Sequence, residues 1–127
     1  MSLLIDTQIA IWWHVDHPRL NRGARAAVES ESGDVWLSRG SLWEVALKVA
    51  SGKLPISAPD FAAQMEDFGF RWLDIKNQHL LDVAAMPAGA HKDPFDRLLV
   101  AQARVEGLTL LTADQNLQHY GDFVRVV

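Results

Sequence analysis

The stretch DPFDRLLVAQARVEGLTLLTAD, residues 93–114, decides the fold. Asp93-Pro94 starts a helix, with an aspartate as cap and a proline at the first helical position, where a missing N–H costs nothing. Phe95, Leu98, Leu99, Gln102 and Val105 then trace one face as far as Gly107, which stops the helix. Leu108–Leu111 follows at once as a short apolar strand. A helix leading directly into a short buried strand is the rhythm of a parallel sheet, whose strands are apolar because helices cover both faces.

The same alternation runs outward to both ends. Towards the C-terminus come a short helix, Asp114 to His119, and a last strand, Phe123–Val126. Towards the N-terminus the pattern gives strands at Ser2–Ile5, Val35–Ser38 and Arg71–Ile75. Between them fall helices at about Gln8 to His14, Leu20 to Ser30, Leu42 to Ala50, Pro59 to Phe68 and Asn77 to Ala85. Leu42, Val45, Ala46 and Val49 repeat at helical spacing before Gly52, and Leu80, Leu81 and Ala84 cluster along the helix at 77–85. Trp36 and Trp72 fall on strands and read as core. The expected fold class is α/β: an open, mostly parallel sheet with helices on both faces, in which ligands bind beyond the carboxyl ends of the strands.

Composition narrows the function classes. The chain has 127 residues, 12 Lys+Arg against 16 Asp+Glu, a net charge of -4, 49% hydrophobic residues and no cysteine. That length suits a single domain over 1–127 with a core of its own, and excludes a two-domain enzyme. The missing cysteines remove disulfides and thiolate metal sites. Disorder does not fit so many apolar residues, and the acidic balance argues against a basic nucleic-acid glove. The opening MSLLIDTQIAIWW has no basic region, and its apolar run is broken by Asp6 and Gln8. Nor is there the run of about 20 apolar residues that a membrane span requires. A soluble, cytoplasmic protein is expected.

Four acids stand at comparable places. Asp6 follows Leu3-Leu4-Ile5 directly, and Asp114 follows the strand at 108–111 with Thr112 in between. Glu44 lies in SLWEVALKV, near the first turn expected for its helix, and Asp96 lies one turn beyond Asp93. Each has an ordinary explanation by itself. Asp6 and Asp114 can cap helices, Asp93 with Asp96 forms a near-capping box, and Glu44 can pair with Lys48 or cap near Ser41. Their shared placement at strand ends and helix starts is what the ordinary explanations leave over. Clustered carboxylates repel unless a cation neutralises them, and all-oxygen ligation suits Mg²⁺ or Mn²⁺. Such an ion activates water and stabilises the charge of a phosphodiester under attack, whether one ion or two are bound.

Four stretches carry a family resemblance: LLIDT at 3–7, SLWEVALKVASGKL at 41–54, HKDPFDRLLVAQA at 91–103 and LLTAD at 110–114. Together they resemble the PIN-domain ribonucleases, and among these the VapC-type toxins of toxin–antitoxin pairs, over nearly the whole chain. The resemblance implies a three-layer fold and a catalytic, metal-binding set of Asp6, Glu44, Asp96 and Asp114. It implies support from the Thr112 hydroxyl, from Asp93 as an extra acid, and from Thr7 and Gln8, Gln8 standing where the family often has asparagine. The implied activity is Mg²⁺- or Mn²⁺-dependent endoribonucleolytic cleavage. The implied partners are an RNA substrate, a second copy in a homodimer, and a cognate antitoxin whose C-terminal segment enters near the acidic groove, in some cases within a larger complex.

Cations and aromatics complete the expected site. Lys48 and Arg97 are candidates for contact with phosphate or antitoxin, while Arg19, Arg22, Arg25, Lys53 and Lys92 read mainly as solvated surface. Trp12, Trp13 and Trp43 suit a cleft, a dimer surface or base stacking, and His91 reads as a loop residue near the site. The alternative is a non-catalytic signalling or binding domain of receiver-like architecture. That reading needs a phosphorylatable aspartate where Ser38 stands and a lysine after the last strand, where none follows.

Overall fold

The computed structural model describes residues 2–87 and 92–127. His91 lies outside the described residues. Five strands, β1 (Leu3–Ile5), β2 (Val35–Ser38), β3 (Arg71–Leu73), β4 (Thr109–Thr112) and β5 (Val124–Val126), form one sheet in the order β3-β2-β1-β4-β5. Every neighbouring pair is parallel. The helices are α1 (Thr7–Val15), α2 (Arg22–Ser30), α3 (Arg39–Ala50), α4 (Ala58–Asp67), α5 (Asn77–Ala85) and α6 (Pro94–Glu106), with a short 3-10 helix at Gln115–Tyr120.

Strand alternation divides the core into two layers. Leu3 and Ile5 of β1 point to one face with Leu37 and Leu111, where Ile9, Val28, Val45, Phe61 and Met65 of the first four helices cover them. Leu4 points the other way with Leu110 and Val124, against Leu99, Val100, Ala103 and Leu117. Leu3, Leu4 and Ile5 are all fully buried, as a central parallel strand requires. The three-layer α/β architecture is thus the one expected.

Local chemistry sets the helix ends. Asp6, Asn21, Ser38, Ser57, Asp93 and Asp114 each accept a backbone N–H at the start of the following helix. Ser38 is also the last residue of β2, so α3 leaves the sheet with no loop between them. Gly40 permits a close approach just there, since a Cβ on it would lie 2.5 Å from a methyl group of Leu98 in α6.

Some expectations need correcting. Helix α3 begins at Arg39 with Ser38 as its cap, so Ser41 is not the cap and Glu44 falls in the second turn. Thr112 is the final residue of β4 and does not lie beyond it. Trp36 and Trp72 are only partly buried: Arg71 lies over the Trp36 ring, while Trp72 sits under Arg39 and donates to Glu66. Leu80 and Leu81 are 52% and 70% exposed, and the fully buried side chain of α5 is His79. Its Nδ1 accepts from the backbone N–H of Lys76 at 3.0 Å, and its Nε2 lies 3.1 Å from Glu106 Oε2. No helix among the described residues is long and apolar enough to cross a membrane.

The topology opens a crevice. From β1 the chain passes into α1 on one face, and from neighbouring β4 it passes into the 3-10 helix on the other. The carboxyl ends of two adjacent strands therefore diverge, which is where open parallel sheets bind ligands.

Candidate functional site

At that crevice lies a cleft of about 320 Å³ lined by Asp6, Thr7, Gln8, Trp12, Glu44, Lys48, Asp93, Asp96, Ala113 and Asp114. All four acids singled out in the sequence meet there, brought by β1, α3, α6 and the end of β4. Asp93, Thr7, Gln8 and Lys48 line it as well. Arg97 is not among the lining residues. Trp12 lines the cleft with its ring stacked on His17 at a centroid separation of 5.7 Å.

Asp6 is the best-held of the acids. Its Oδ1 accepts from the Ile9 N–H at 2.8 Å, and its Oδ2 accepts from the Thr112 hydroxyl. Its own N–H donates to Leu111 O of the adjacent strand at 3.0 Å. Burial pushes the Asp6 carboxyl up from the ordinary 3.8 to about 6, the two hydrogen bonds pull it partly back, and the nearby charges of Asp96 and Glu44 add to the rise. Thr112 in turn accepts from the Asp114 N–H at 3.0 Å, so one buried hydroxyl links two acids.

The other acids are held by local structure. Asp114 accepts from Asn116 N–H at 2.9 Å, and Asp93 accepts from Phe95 and Asp96 N–H at 2.8 and 3.1 Å. The capping explanations for Asp6, Asp93 and Asp114 are therefore correct, and they coincide with placement in the cleft. A cap uses one carboxylate oxygen and positions the group over a helix N-terminus, whose dipole favours a negative charge. Glu44 is 8% exposed, and its Oε2 pairs with Lys48 Nζ at 3.0 Å, the i,i+4 contact expected from sequence. Its Oε1 is buried and has no hydrogen-bond partner among the described residues. Thr7 donates to Ser41 Oγ at 2.9 Å and so ties the start of α1 to α3, a contact that no local pattern foretells.

The donor chemistry fits a hard divalent cation: the lining donors are overwhelmingly carboxylate oxygens, and one buried oxygen of Glu44 awaits a partner. The acids stand around the walls of the cleft. Among the described residues no group of three or more His, Asp or Glu side chains is drawn together closely enough to hold a metal ion.

Comparison with known proteins bears on this arrangement. Ribonuclease VapC22 of Mycobacterium tuberculosis is 26% identical over 121 residues, covering 94% of this chain and 92% of that protein. Among solved structures, a toxin–antitoxin complex from Klebsiella pneumoniae superposes with a TM-score of 0.72 at 19% identity, over 98% of this chain and 97% of that one. VapBC2 from Rickettsia felis, bound to a DNA fragment from its promoter, gives 0.73 at 15% identity, over 100% and 98% of the two chains. FitAcB from Neisseria gonorrhoeae gives 0.68 at 24% identity, over 98% and 96%. These likenesses agree on the fold, and the family model of the PIN domain matches residues 3–122. The chain belongs to the PIN-domain family.

Proposed function

We propose that this protein is a Mg²⁺- or Mn²⁺-dependent endoribonuclease, the VapC-type toxin of a toxin–antitoxin pair, acting as a single domain in the cytoplasm. The observation that carries the proposal is the meeting of Asp6, Glu44, Asp96 and Asp114, from four separate elements, in one cleft at the strand ends. The family and the similarity to Ribonuclease VapC22 support the same reading.

In this reading Asp6, Glu44, Asp96 and Asp114 would hold the divalent ion, which would supply a water nucleophile at neutral pH and neutralise charge on the phosphodiester. The chain's own residues do the rest. Thr112 fixes the Asp6 carboxylate and favours its ionised form. The Thr7–Ser41 hydrogen bond holds α1 against α3, and with it the spacing of Asp6 and Glu44. Asp93 fixes the first turn of α6 and so positions Asp96. Lys48 and Arg97 supply positive charge towards phosphate or antitoxin. The exposed Trp43, Leu47, Leu80 and Leu81 supply apolar surface for a homodimer, for the cognate antitoxin, or for a larger assembly of both.

The test is cleavage of RNA by purified protein. Activity is expected with Mg²⁺ or Mn²⁺, with loss in EDTA and in Asp6→Asn and Asp96→Asn proteins. Cleavage that survives either substitution would assign it to another centre or to a contaminant.

A further inference from the structure

Lys48 is the only cationic side chain among the described residues lining the cleft, which also presents five carboxylates. Its Nζ pairs with Oε2 of Glu44 at 3.0 Å, while Oε1 of the same buried carboxylate has no partner among the described residues. A buried carboxylate is strongly disfavoured unless its oxygens meet charge or donors. Glu44 is therefore half-satisfied: one oxygen is matched by a monovalent charge on a flexible stem, and the other by nothing among the described residues. Lys48 sits one helical turn from Glu44, and its side chain is 42% exposed, so the ammonium can leave for water with no movement of the backbone.

We propose that Lys48 is a tethered counter-ion of the metal-free cleft, which a divalent cation displaces from Glu44, so that Lys48 sets the metal affinity of the site. This rests on the metal-dependent reading given above. Two positive charges cannot share Glu44 closely without mutual repulsion. A divalent ion offers both oxygens more charge than one ammonium does, whereas the ammonium is attached and always present. Lys48 thus weakens ion binding while it lessens the repulsion among the acids in the ion's absence.

Mn²⁺ binding to the full chain, followed by the electron paramagnetic resonance of the free ion and by calorimetry, tests the proposal. Lys48→Gln and Lys48→Met, with folding checked by circular dichroism, are expected to bind Mn²⁺ on the order of tenfold more tightly than wild type. Lys48→Arg keeps the charge and is expected to stay within about threefold of wild type. Lys53→Gln removes a charge from the exposed turn beyond α3 and should change affinity less than about twofold, because solvent screens it. Equal or weaker binding by Lys48→Gln and Lys48→Met, with wild type binding measurably, overturns this proposal alone. The same is true of a Lys53→Gln protein that matches Lys48→Gln, which would reveal a general charge effect. If no protein binds Mn²⁺, this proposal falls together with the metal-dependent reading.

Discussion

Thr112 and Asp6 are 106 residues apart in the chain and joined by a hydrogen bond, the buried hydroxyl at the end of β4 donating to Oδ2 of the acid at the end of β1. The same hydroxyl accepts the N–H of Asp114, so the two strand ends share one small polar hub. A hydrogen bond to the charged form of an acid lowers its pKa, and removing the bond raises it.

Thr112→Val keeps the shape and removes the hydroxyl. The cost in stability at neutral pH is expected to be about 1.5–3 kcal/mol, the usual worth of a hydrogen bond to a charged group. The acidic limb of the pH–activity profile should move to higher pH, and Thr112→Ser should restore it. An unchanged limb in the valine variant would show that Thr112 does not act through Asp6.

Asp6 itself links folding to pH. Its carboxyl is raised from 3.8 to about 6 in the folded protein, so the folded state favours the protonated acid. The stability this gives is fully present below the unfolded value and is lost as pH rises through 6, amounting to on the order of 3 kcal/mol by pH 7.5. Asp6→Asn removes this dependence. In EDTA, urea unfolding should show the variant gaining on wild type between pH 4.5 and 7.5. A difference that stays flat across that range contradicts the buried, unneutralised carboxylate.

Asp93 combines two roles that substitution separates. Asparagine caps a helix about as well as aspartate, whereas alanine does not. Asp93→Asn should leave stability nearly unchanged, and Asp93→Ala should cost about 1 kcal/mol. If Asp93 serves the proposed nuclease only as a cap, the asparagine variant keeps its activity. A loss in both variants assigns a function to its charge.

His79 gives a control remote from these acids in its contacts. Its ring is fully buried between the Lys76 N–H and the Glu106 carboxylate, with Gln102 at 3.4 Å. His79→Leu fills the space and leaves these partners unmatched, which should cost about 1–3 kcal/mol by thermal or urea unfolding. RNA cleavage below the melting transition is expected to be unchanged. A selective loss of cleavage at full folding would connect α5 to the cleft.

His79 also shows where sequence reading stopped. Leu80, Leu81 and Ala84 cluster along α5 in the sequence, yet the helix docks on α6 through a histidine. That burial is tolerable only because Lys76, Gln102 and Glu106 meet the ring, and two of those partners lie more than twenty residues away. No local pattern displays such a match. The alternation of strands and helices was legible because it is local: runs such as Leu3-Leu4-Ile5 and caps such as Asp93-Pro94 state their own conformation. Asp6, Asp96 and Asp114 stand out for the same reason, each marked by the strand end or helix start beside it, whereas Glu44 lies in the second turn of α3. The sequence offers Trp12 for a cleft and the family resemblance implies support from Thr112, whereas the Thr7–Ser41 bond depends on packing between distant segments and emerges only when these are assembled.

The junction at Ser38 has a mechanical consequence. Because the last residue of β2 is also the cap of α3, the sheet fixes the rotational phase of that helix as well as its position. Each residue of an α-helix turns the side chain by about 100°. One residue inserted between Ser38 and Glu44 would therefore swing the carboxylate away from the cleft, while an insertion in the turn after Ala50 would leave its bearing untouched. The strand works as an index mark against which a single side chain is set, and the chain has no slack there with which to correct an error.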